Sequence, residues 1–258
     1  MYMETVGWRV IEGDVTSGVV VVVDFVGSRQ EEHLLGLASR IGTAAAIVQP
    51  ELPRPGSITP ELYASAWLRQ LRHHDWDVRM VLGYCGGGAL ACDLAEEIAE
   101  SAPYPKVVLF DPYLIDAGAL LHEYRSALGQ YESLVAPETL ASVLTSAQRV
   151  RKTSDLRALA AELDRGYRAL SAQVLGEMGV DDEIVDELCG RFVQHVDYLV
   201  ACAYAGYSRS RKSVVTLLSQ GSERPPLLLG SVQDCEVPHD ELLRSHPAEH
   251  ATQEELAR

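Results

Sequence analysis

One segment of the sequence sets a reactive side chain in a frame of glycines. Residues 83–87, Gly-Tyr-Cys-Gly-Gly, place Cys85 where the nucleophile-elbow pattern G-x-S-x-G has its serine. In such an elbow the nucleophile sits on a strained turn between a strand and a helix, so nearby residues must lack side chains. The helix start favours a thiolate, and the Gly86 N–H helps to form an oxyanion hole. The pattern therefore predicts that Cys85 is an acyl-accepting nucleophile.

Two other interpretations of this segment remain open from the sequence. Cysteine is often only a small buried hydrophobic residue, an interpretation that suits Cys92, Cys189 and Cys202. Residues 86–91 also match the dinucleotide-binding pattern G-x-G-x-x-G/A, which is weakly specific by itself. A dinucleotide loop usually follows the first strand of its domain, whereas this segment follows the third predicted strand. We therefore favour the interpretation of Cys85 as a nucleophile.

A carboxylate should follow the nucleophile along the chain, and a histidine should follow the carboxylate. Asp111 comes directly after a predicted strand at residues 106–110. That position is the edge of the sheet at which parallel strands end, so we expect the Asp111 side chain to meet the nucleophile there. Asp116 is the alternative acid, and Asp111 followed by Pro112 is also a common start of a turn.

Three histidines near the C-terminus could act as the base: His239, His246 and His250. We favour His250, because a short helix is predicted directly after it and catalytic histidines commonly precede the last helix. His246 is the next candidate. The spacing of His246 and His250 could also bind a metal, but Pro247 and the lack of a nearby third ligand argue against that interpretation.

Alternating strand and helix patterns must position these residues. Val19–Val23 is a β-branched run, as expected for a strand buried on both faces. Further strands are predicted at 44–48, 79–82, 106–110 and 227–229, with helices at 31–41, 59–73 and 88–100. From 117 to 212 only helical patterns occur, over a stretch too long for a loop. We predict one α/β domain over 1–258 with a mostly parallel sheet, helices on both faces, and a helical lid inserted at 117–212.

Composition excludes several classes of partner. The net charge is −15, which repels nucleic acid phosphates and anionic membranes. No apolar run approaches the roughly 20 residues of a membrane-spanning helix, and the N-terminal residues do not resemble a secretory signal. Five cysteines without a framework or a Cys-x-x-Cys pair indicate reduced thiols and argue against structural zinc. We expect a cytoplasmic protein.

With these residues placed, the sequence resembles the α/β-hydrolase-fold thioesterases of polyketide and nonribosomal peptide assembly lines. In that family the acid follows the strand after the nucleophile, as Asp111 does, and a helical lid precedes the histidine. Residues 25–28, Phe-Val-Gly-Ser, correspond to its oxyanion loop, although the family's proline is missing. The resemblance covers most of the chain, is specific around 81–113, and implies an oxyanion hole formed by Gly86 and Val26.

The cysteine narrows the resemblance further. A free-standing member with a Cys-Asp-His triad is similar to the Dieckmann cyclases that release tetramic acids and pyridones in natural-product biosynthesis. This similarity implies an acyl or peptidyl carrier protein as partner, a substrate carried on its phosphopantetheine, and no other cofactor or metal. The alternatives are a hydrolytic editing thioesterase with the same triad and a non-catalytic α/β-hydrolase scaffold that binds a ligand.

Two basic clusters stand out against the acidic background: Arg149, Arg151 and Lys152, and then Arg209, Arg211 and Lys212. A local basic patch would steer an acidic carrier protein despite the negative net charge. Solvated side chains at helix ends are an equally good interpretation. Docking of a carrier protein on these basic clusters is therefore a hypothesis.

Overall fold

The structure, a computed structural model, describes residues 7–25, 34–54, 56, 59–152, 155–207 and 214–257. Seven strands and eight α-helices occur in these ranges. The strands are β1 (Trp8–Glu12), β2 (Asp14–Val23), β3 (Ala45–Pro50), β4 (Val78–Tyr84), β5 (Lys106–Phe110), β6 (Val214–Leu218) and β7 (Gly230–Asp234). The helices are α1 (Leu34–Arg40), α2 (Tyr63–His74), α3 (Gly87–Ile98), α4 (Ala117–Gly129), α5 (Pro137–Arg151), α6 (Leu156–Glu177), α7 (Asp182–Ala205) and α8 (His246–Ala257). Two 3₁₀ segments, Pro60–Leu62 and His239–Arg244, precede α2 and α8.

All seven strands form one sheet in the order β1-β3-β2-β4-β5-β6-β7. Only β1 runs antiparallel to its neighbour, and every other pair is parallel. Val19 to Val23 of β2 are completely buried, as the β-branched run predicts for a strand covered on both faces. The predicted mostly parallel α/β sheet is therefore confirmed.

The chain divides into two compact units. The first, which we call the sheet unit, comprises residues 1–53, 57–114 and 201–258, and its core combines β2, β4 and β5 side chains with those of α1 and α8. The second, the helical unit, comprises residues 54–56 and 115–200.

The helical unit has its own caps and core. The Asp116 carboxylate accepts a hydrogen bond from Ala119 N–H at 2.8 Å and so caps the start of α4. Inside the unit, the rings of Tyr167 and Phe192 stack with centroids 4.1 Å apart, and the buried hydroxyls of Tyr131 and Ser171 lie 2.7 Å apart. These contacts make residues 115–200 a packed helical insertion between β5 and β6. Its role as a lid stays a prediction.

The last strands differ from the sequence prediction. Residues 227–229 were expected to form a central strand, but Leu227 and Leu229 are exposed in the segment that precedes β7. The strand next to β5 is instead β6, and the exposed, polar β7 forms the edge of the sheet. An apolar triplet alone does not distinguish a strand from a turn in which one leucine, here Leu228, is buried.

Within the ranges that the structure describes, no helix is both long and apolar enough to cross a membrane.

Gly83 in β4 tests how closely α3 packs on the sheet. A Cβ at Gly83 would lie 2.8 Å from the Ala91 Cβ and 2.8 Å from the Gly88 Cα, closer than real atoms approach. We predict that Gly83→Ala lowers the free energy of unfolding by about 1–3 kcal/mol, measured by urea denaturation.

The control for this substitution is Gly190→Ala in α7, where an added Cβ meets no atom within 4 Å. Because alanine is the better helix former, this variant should gain about 0.5–1 kcal/mol. Wild-type stability in Gly83→Ala would contradict the close packing of α3 against β4.

Candidate active site

The C-terminal ends of three neighbouring parallel strands bring the site together. Tyr84, the last residue of β4, pairs in register with Phe110, the last residue of β5, and Phe110 pairs in turn with Leu217 of β6. Cys85 and Asp111 are the next residues along their strands, so both lie at the same edge of the sheet. This placement agrees with the rule that open α/β sheets carry their sites at the carboxyl ends of the strands.

Cys85 occupies a strained turn between β4 and α3. Its φ is +51°, in the left-handed region that residues with a side chain rarely adopt. Hydrogen bonds hold the turn: Cys85 N–H donates to the Phe110 carbonyl at 2.9 Å, and the Cys85 carbonyl accepts from Gly88 N–H at 3.2 Å and Tyr113 N–H at 3.3 Å. The backbone therefore has the geometry of a nucleophile elbow, and α3 begins two residues after the thiol.

Cys85 is the only one of the five cysteines that is not fully buried. Cys92, Cys189 and Cys202 lie in helices with their side chains buried, in agreement with their interpretation as small hydrophobic residues. Burial raises the pKa of Cys235, and the nearby carboxylates of Asp111 and Asp234 raise it further. Cys85 is therefore the thiol most accessible to a substrate.

Asp111 is a buried carboxylate with two fixed partners. Its Oδ1 accepts a hydrogen bond from Ser219 N–H at 2.7 Å, and its Oδ2 lies 2.6 Å from the His239 Nδ1. Burial raises the pKa of Asp111, but the hydrogen bonds from His239 and Ser219 together outweigh burial and lower the pKa below its ordinary value. The carboxylate is therefore ionised and can orient a histidine.

His239 is held at both ring nitrogens. Because the ionised Asp111 can only accept, the neutral ring carries its proton on Nδ1 and leaves Nε2 as the acceptor. The Tyr84 hydroxyl lies 3.0 Å from Nε2 and donates to it, and the two rings are stacked with centroids 5.8 Å apart. This tautomer, with its basic nitrogen directed away from the carboxylate, is the one that a general base requires.

The structure places His239 beside Asp111, whereas the sequence prediction chose His250. His250 lies within α8, its side chain is 58% exposed, and its Nδ1 is 3.8 Å from the Glu254 carboxylate. The His250 ring also stacks on His246. The assignment of His250 as the partner of Asp111 is therefore corrected to His239. His239 lies between the last strand and the last helix and contacts Asp111, whereas His250 lies inside the last helix.

The position of His239 after the last strand is what distinguishes it from the other histidines, and that strand is hard to recognise in the sequence. The residue stands five positions after the end of β7, in the segment that returns to the sheet edge, and Gln220 N–H donates to the Val237 carbonyl at 2.9 Å to fix that segment. β7 is short, polar and exposed, so it lacks the apolar pattern by which strands are recognised. Because β7 could not be recognised in the sequence, the position of His239 relative to the sheet could not be predicted.

The remaining predicted residues divide between the described ranges and the rest of the chain. Gly86 lies at the N-cap position of α3, directly after Cys85. Val26, the second predicted oxyanion residue, lies outside the described residues, as do Arg209, Arg211 and Lys212. The other basic cluster, residues 149–152, has its arginines and lysine exposed at the C-terminal end of α5. Asp116, the alternative acid, caps α4.

Comparisons with known proteins find structural relatives only. No family model matches the chain, and no curated protein matches its sequence. Homoserine O-acetyltransferase from Staphylococcus aureus is similar with a TM-score of 0.52 and 11% identity, over 94% of this chain and 85% of that protein. The thioesterase RedJ, from the prodiginine biosynthetic pathway in Streptomyces coelicolor, has a TM-score of 0.51 and 17% identity over 96% and 93%.

A four-domain nonribosomal peptide synthetase bound to AMP and glycine is also similar, with a TM-score of 0.54 and 12% identity. The match covers 96% of this chain but only 20% of that protein. Together with the strand order, these likenesses establish the α/β-hydrolase fold, as predicted from the sequence. At such low identities they establish the fold alone.

Asp111→Asn tests the charge of the buried carboxylate. A group whose pKa is lowered by folding stabilises the protein above its unfolded pKa, near 3.8 here, and loses that effect as the pH falls through the lower folded value. We predict that the variant is less stable at pH 7 by about 1–3 kcal/mol, the contribution of hydrogen bonds to a charged group. The difference should narrow below pH 4, measured by urea unfolding across pH.

Asp116→Asn is the matched control, because asparagine caps a helix as well as aspartate does. Asparagine also tolerates the φ of +43° at Asp111, so the test substitution adds no backbone strain. An Asp111→Asn effect that stays constant with pH would show that Asp111 is not charged in the folded protein.

Proposed function

We propose that this protein is a cysteine-dependent enzyme that takes an acyl chain from a carrier-protein thioester and releases it from Cys85 by Dieckmann-type cyclisation. The observation that carries the proposal is the strained turn at Cys85, placed at the same sheet edge as the Asp111–His239 pair. The partly buried thiol of Cys85, the ionised carboxylate of Asp111 and the oriented imidazole of His239 are the three groups that such a reaction needs.

In the first step, the Cys85 thiolate attacks the carbonyl carbon of the carrier-bound thioester. His239 removes the thiol proton, and Asp111 stabilises the resulting imidazolium. The tetrahedral oxyanion is stabilised by the Gly86 N–H, with the Val26 N–H as the proposed second donor. The bond to the phosphopantetheine sulfur then breaks, His239 returns the proton to that thiol, and the acyl group remains on Cys85.

In the second step, an acidic carbon within the acyl chain becomes the nucleophile. Neutral His239 removes its proton, the carbanion attacks the Cys85 thioester, a carbon–carbon bond forms and the carbon–sulfur bond breaks. His239 then reprotonates the Cys85 sulfur. A cysteine suits this sequence, because thiol-to-thiol acyl transfer is nearly thermoneutral and a thioester reacts readily with soft carbon nucleophiles.

Tyr84 is compatible with both protonation states of His239. Its hydroxyl donates to Nε2 of the neutral ring, and a hydroxyl can equally accept from Nε2–H when the ring is charged. Because neutral Nε2 has a single lone pair, the Tyr84 hydroxyl must turn its proton away before His239 takes a proton from Cys85 or from the acyl chain.

The names of the structural relatives agree with a carrier-bound acyl substrate. RedJ is described as a thioesterase of a prodiginine pathway, and another relative is a nonribosomal peptide synthetase. We propose an acyl or peptidyl carrier protein as the partner, no metal or cofactor besides its phosphopantetheine, and a cytoplasmic setting. A hydrolytic thioesterase remains the second candidate, since the His239 side chain is 50% exposed and accessible to water.

Cys85→Ala tests the nucleophile and the reaction together. The probe is the N-acetylcysteamine thioester of N-acetoacetyl-alanine, whose acidic carbon can close a five-membered tetramate ring. We predict that wild type releases the thiol and forms the ring, and that Cys85→Ala shows only background release. Thiol release is measured colorimetrically, and mass spectrometry separates the ring from the free acid by one water.

Cys189→Ala, at a buried position in the helical unit, is the control and should retain activity. Cys85→Ser should give slow release with more free acid, because the oxyanion hole survives. If free acid is the main product of the wild-type protein, the reaction is hydrolysis and not cyclisation. Full activity in Cys85→Ala would reject Cys85 as the nucleophile.

His239→Ala and His250→Ala form a matched pair that tests the assignment of the base. We predict that His239→Ala lowers kcat by about 10³–10⁴, the scale seen when a catalytic triad loses its correctly oriented base. His250→Ala should remain within about twofold of wild type, because its exposed ring contributes no more than a surface ion pair. An inactive His250→Ala beside an active His239→Ala would restore the sequence-based assignment.

A further inference from the structure

Tyr207 is a buried tyrosine whose hydroxyl reaches the backbone of the nucleophile. Its side chain is 1% exposed, and its hydroxyl donates to the Cys85 carbonyl at 3.4 Å. Four non-glycine residues with positive φ occur among the described residues, and three of them, Cys85, Asp111 and Tyr207, contribute to this sheet edge. Backbone strain collected in one place is typical of a functional site.

The Cys85 carbonyl belongs to the same planar peptide group as the Gly86 N–H. The orientation of the carbonyl therefore sets the orientation of the N–H that we propose as an oxyanion donor. Three donors hold the oxygen: Gly88 N–H, Tyr113 N–H and the Tyr207 hydroxyl. Hydrogen bonds accepted by a carbonyl also polarise its peptide and strengthen the hydrogen bond that the attached N–H donates.

We infer that Tyr207 is a positioning residue that orients and polarises the Cys85–Gly86 peptide for the oxyanion hole. The inference rests on the proposed function, because only acyl chemistry at Cys85 generates an oxyanion there. Burial raises the pKa of Tyr207 well above its ordinary value, so its hydroxyl keeps its proton and remains a donor. The nearby Gly88 leaves room for it, since a Cβ at Gly88 would lie 2.8 Å from the Tyr207 hydroxyl oxygen.

Tyr207→Phe removes this hydroxyl and keeps the buried ring. With the acetoacetyl-alanyl thioester, we expect kcat to fall about tenfold, the effect of one hydrogen bond that acts in the transition state, while KM changes less than about twofold. Alkylation of Cys85 by iodoacetamide forms no oxyanion, so its rate and pH profile should match wild type. Unchanged kcat overturns the inference, and so does an equal loss in alkylation, which would indicate a displaced thiol.

Gly88→Ala tests the contact between Tyr207 and Cys85 by adding a methyl group next to the Tyr207 hydroxyl. The added methyl group must displace the Tyr207 hydroxyl, because the next atoms, on Leu109 and Pro112, lie 3.5 Å away at ordinary contact distance. We expect Gly88→Ala to lower kcat as Tyr207→Phe does, and the double variant to be no slower than Tyr207→Phe alone. Additive losses would overturn the inference.

These experiments distinguish an error in the proposed nucleophile, Cys85, from an error in the proposed role of Tyr207. Full activity in Cys85→Ala rejects the nucleophile, whatever Tyr207→Phe shows. An inactive Cys85→Ala beside a fully active Tyr207→Phe rejects only the role of Tyr207.

Discussion

The left-handed backbone conformation of Cys85 is the constraint on which the site depends. A residue with a side chain in this region costs of order 1–3 kcal/mol, so the surrounding structure must hold it there. Hydrogen bonds to both the N–H and the carbonyl of Cys85 do so, and Gly83 and Gly88 let α3 approach β4 closely enough to form the turn. The conformation ends the strand at Cys85 and places the next residue, Gly86, at the N-cap of α3.

The second constraint is electrostatic. Asp111 lies at the end of the neighbouring strand with its own positive φ of +43°, and a backbone N–H from Ser219 satisfies one of its oxygens. The other oxygen is then free to orient His239, while Tyr84, next to the nucleophile in sequence, contacts the opposite ring nitrogen. At the carboxyl ends of β4 and β5, Tyr84 and Asp111 contact the imidazole, and Ser219 after β6 fixes the carboxylate that orients it.

The sequence allowed the parallel sheet, the turn at Cys85 and the strand-end position of Asp111 to be predicted, because each follows from a local pattern. The valine run gives β2, the glycines give the turn, and a carboxylate after an apolar strand lies at the sheet edge. His239 could not be predicted in this way, since its position depends on the polar edge strand β7 and on long-range pairing around Val237. The contact of Tyr207 with Cys85 spans 122 residues and leaves no pattern in the sequence.

The most direct test of the account is to observe the acyl-enzyme itself. A thioester without an acidic carbon, such as octanoyl N-acetylcysteamine, can acylate the nucleophile but cannot close a ring, so the acyl group should accumulate. After acid quenching, intact-protein mass spectrometry should show one octanoyl group, and peptide mapping should locate it on Cys85. Absence of both acylation and thiol release, or an octanoyl group on another residue, would contradict the claim that Cys85 accepts the acyl chain.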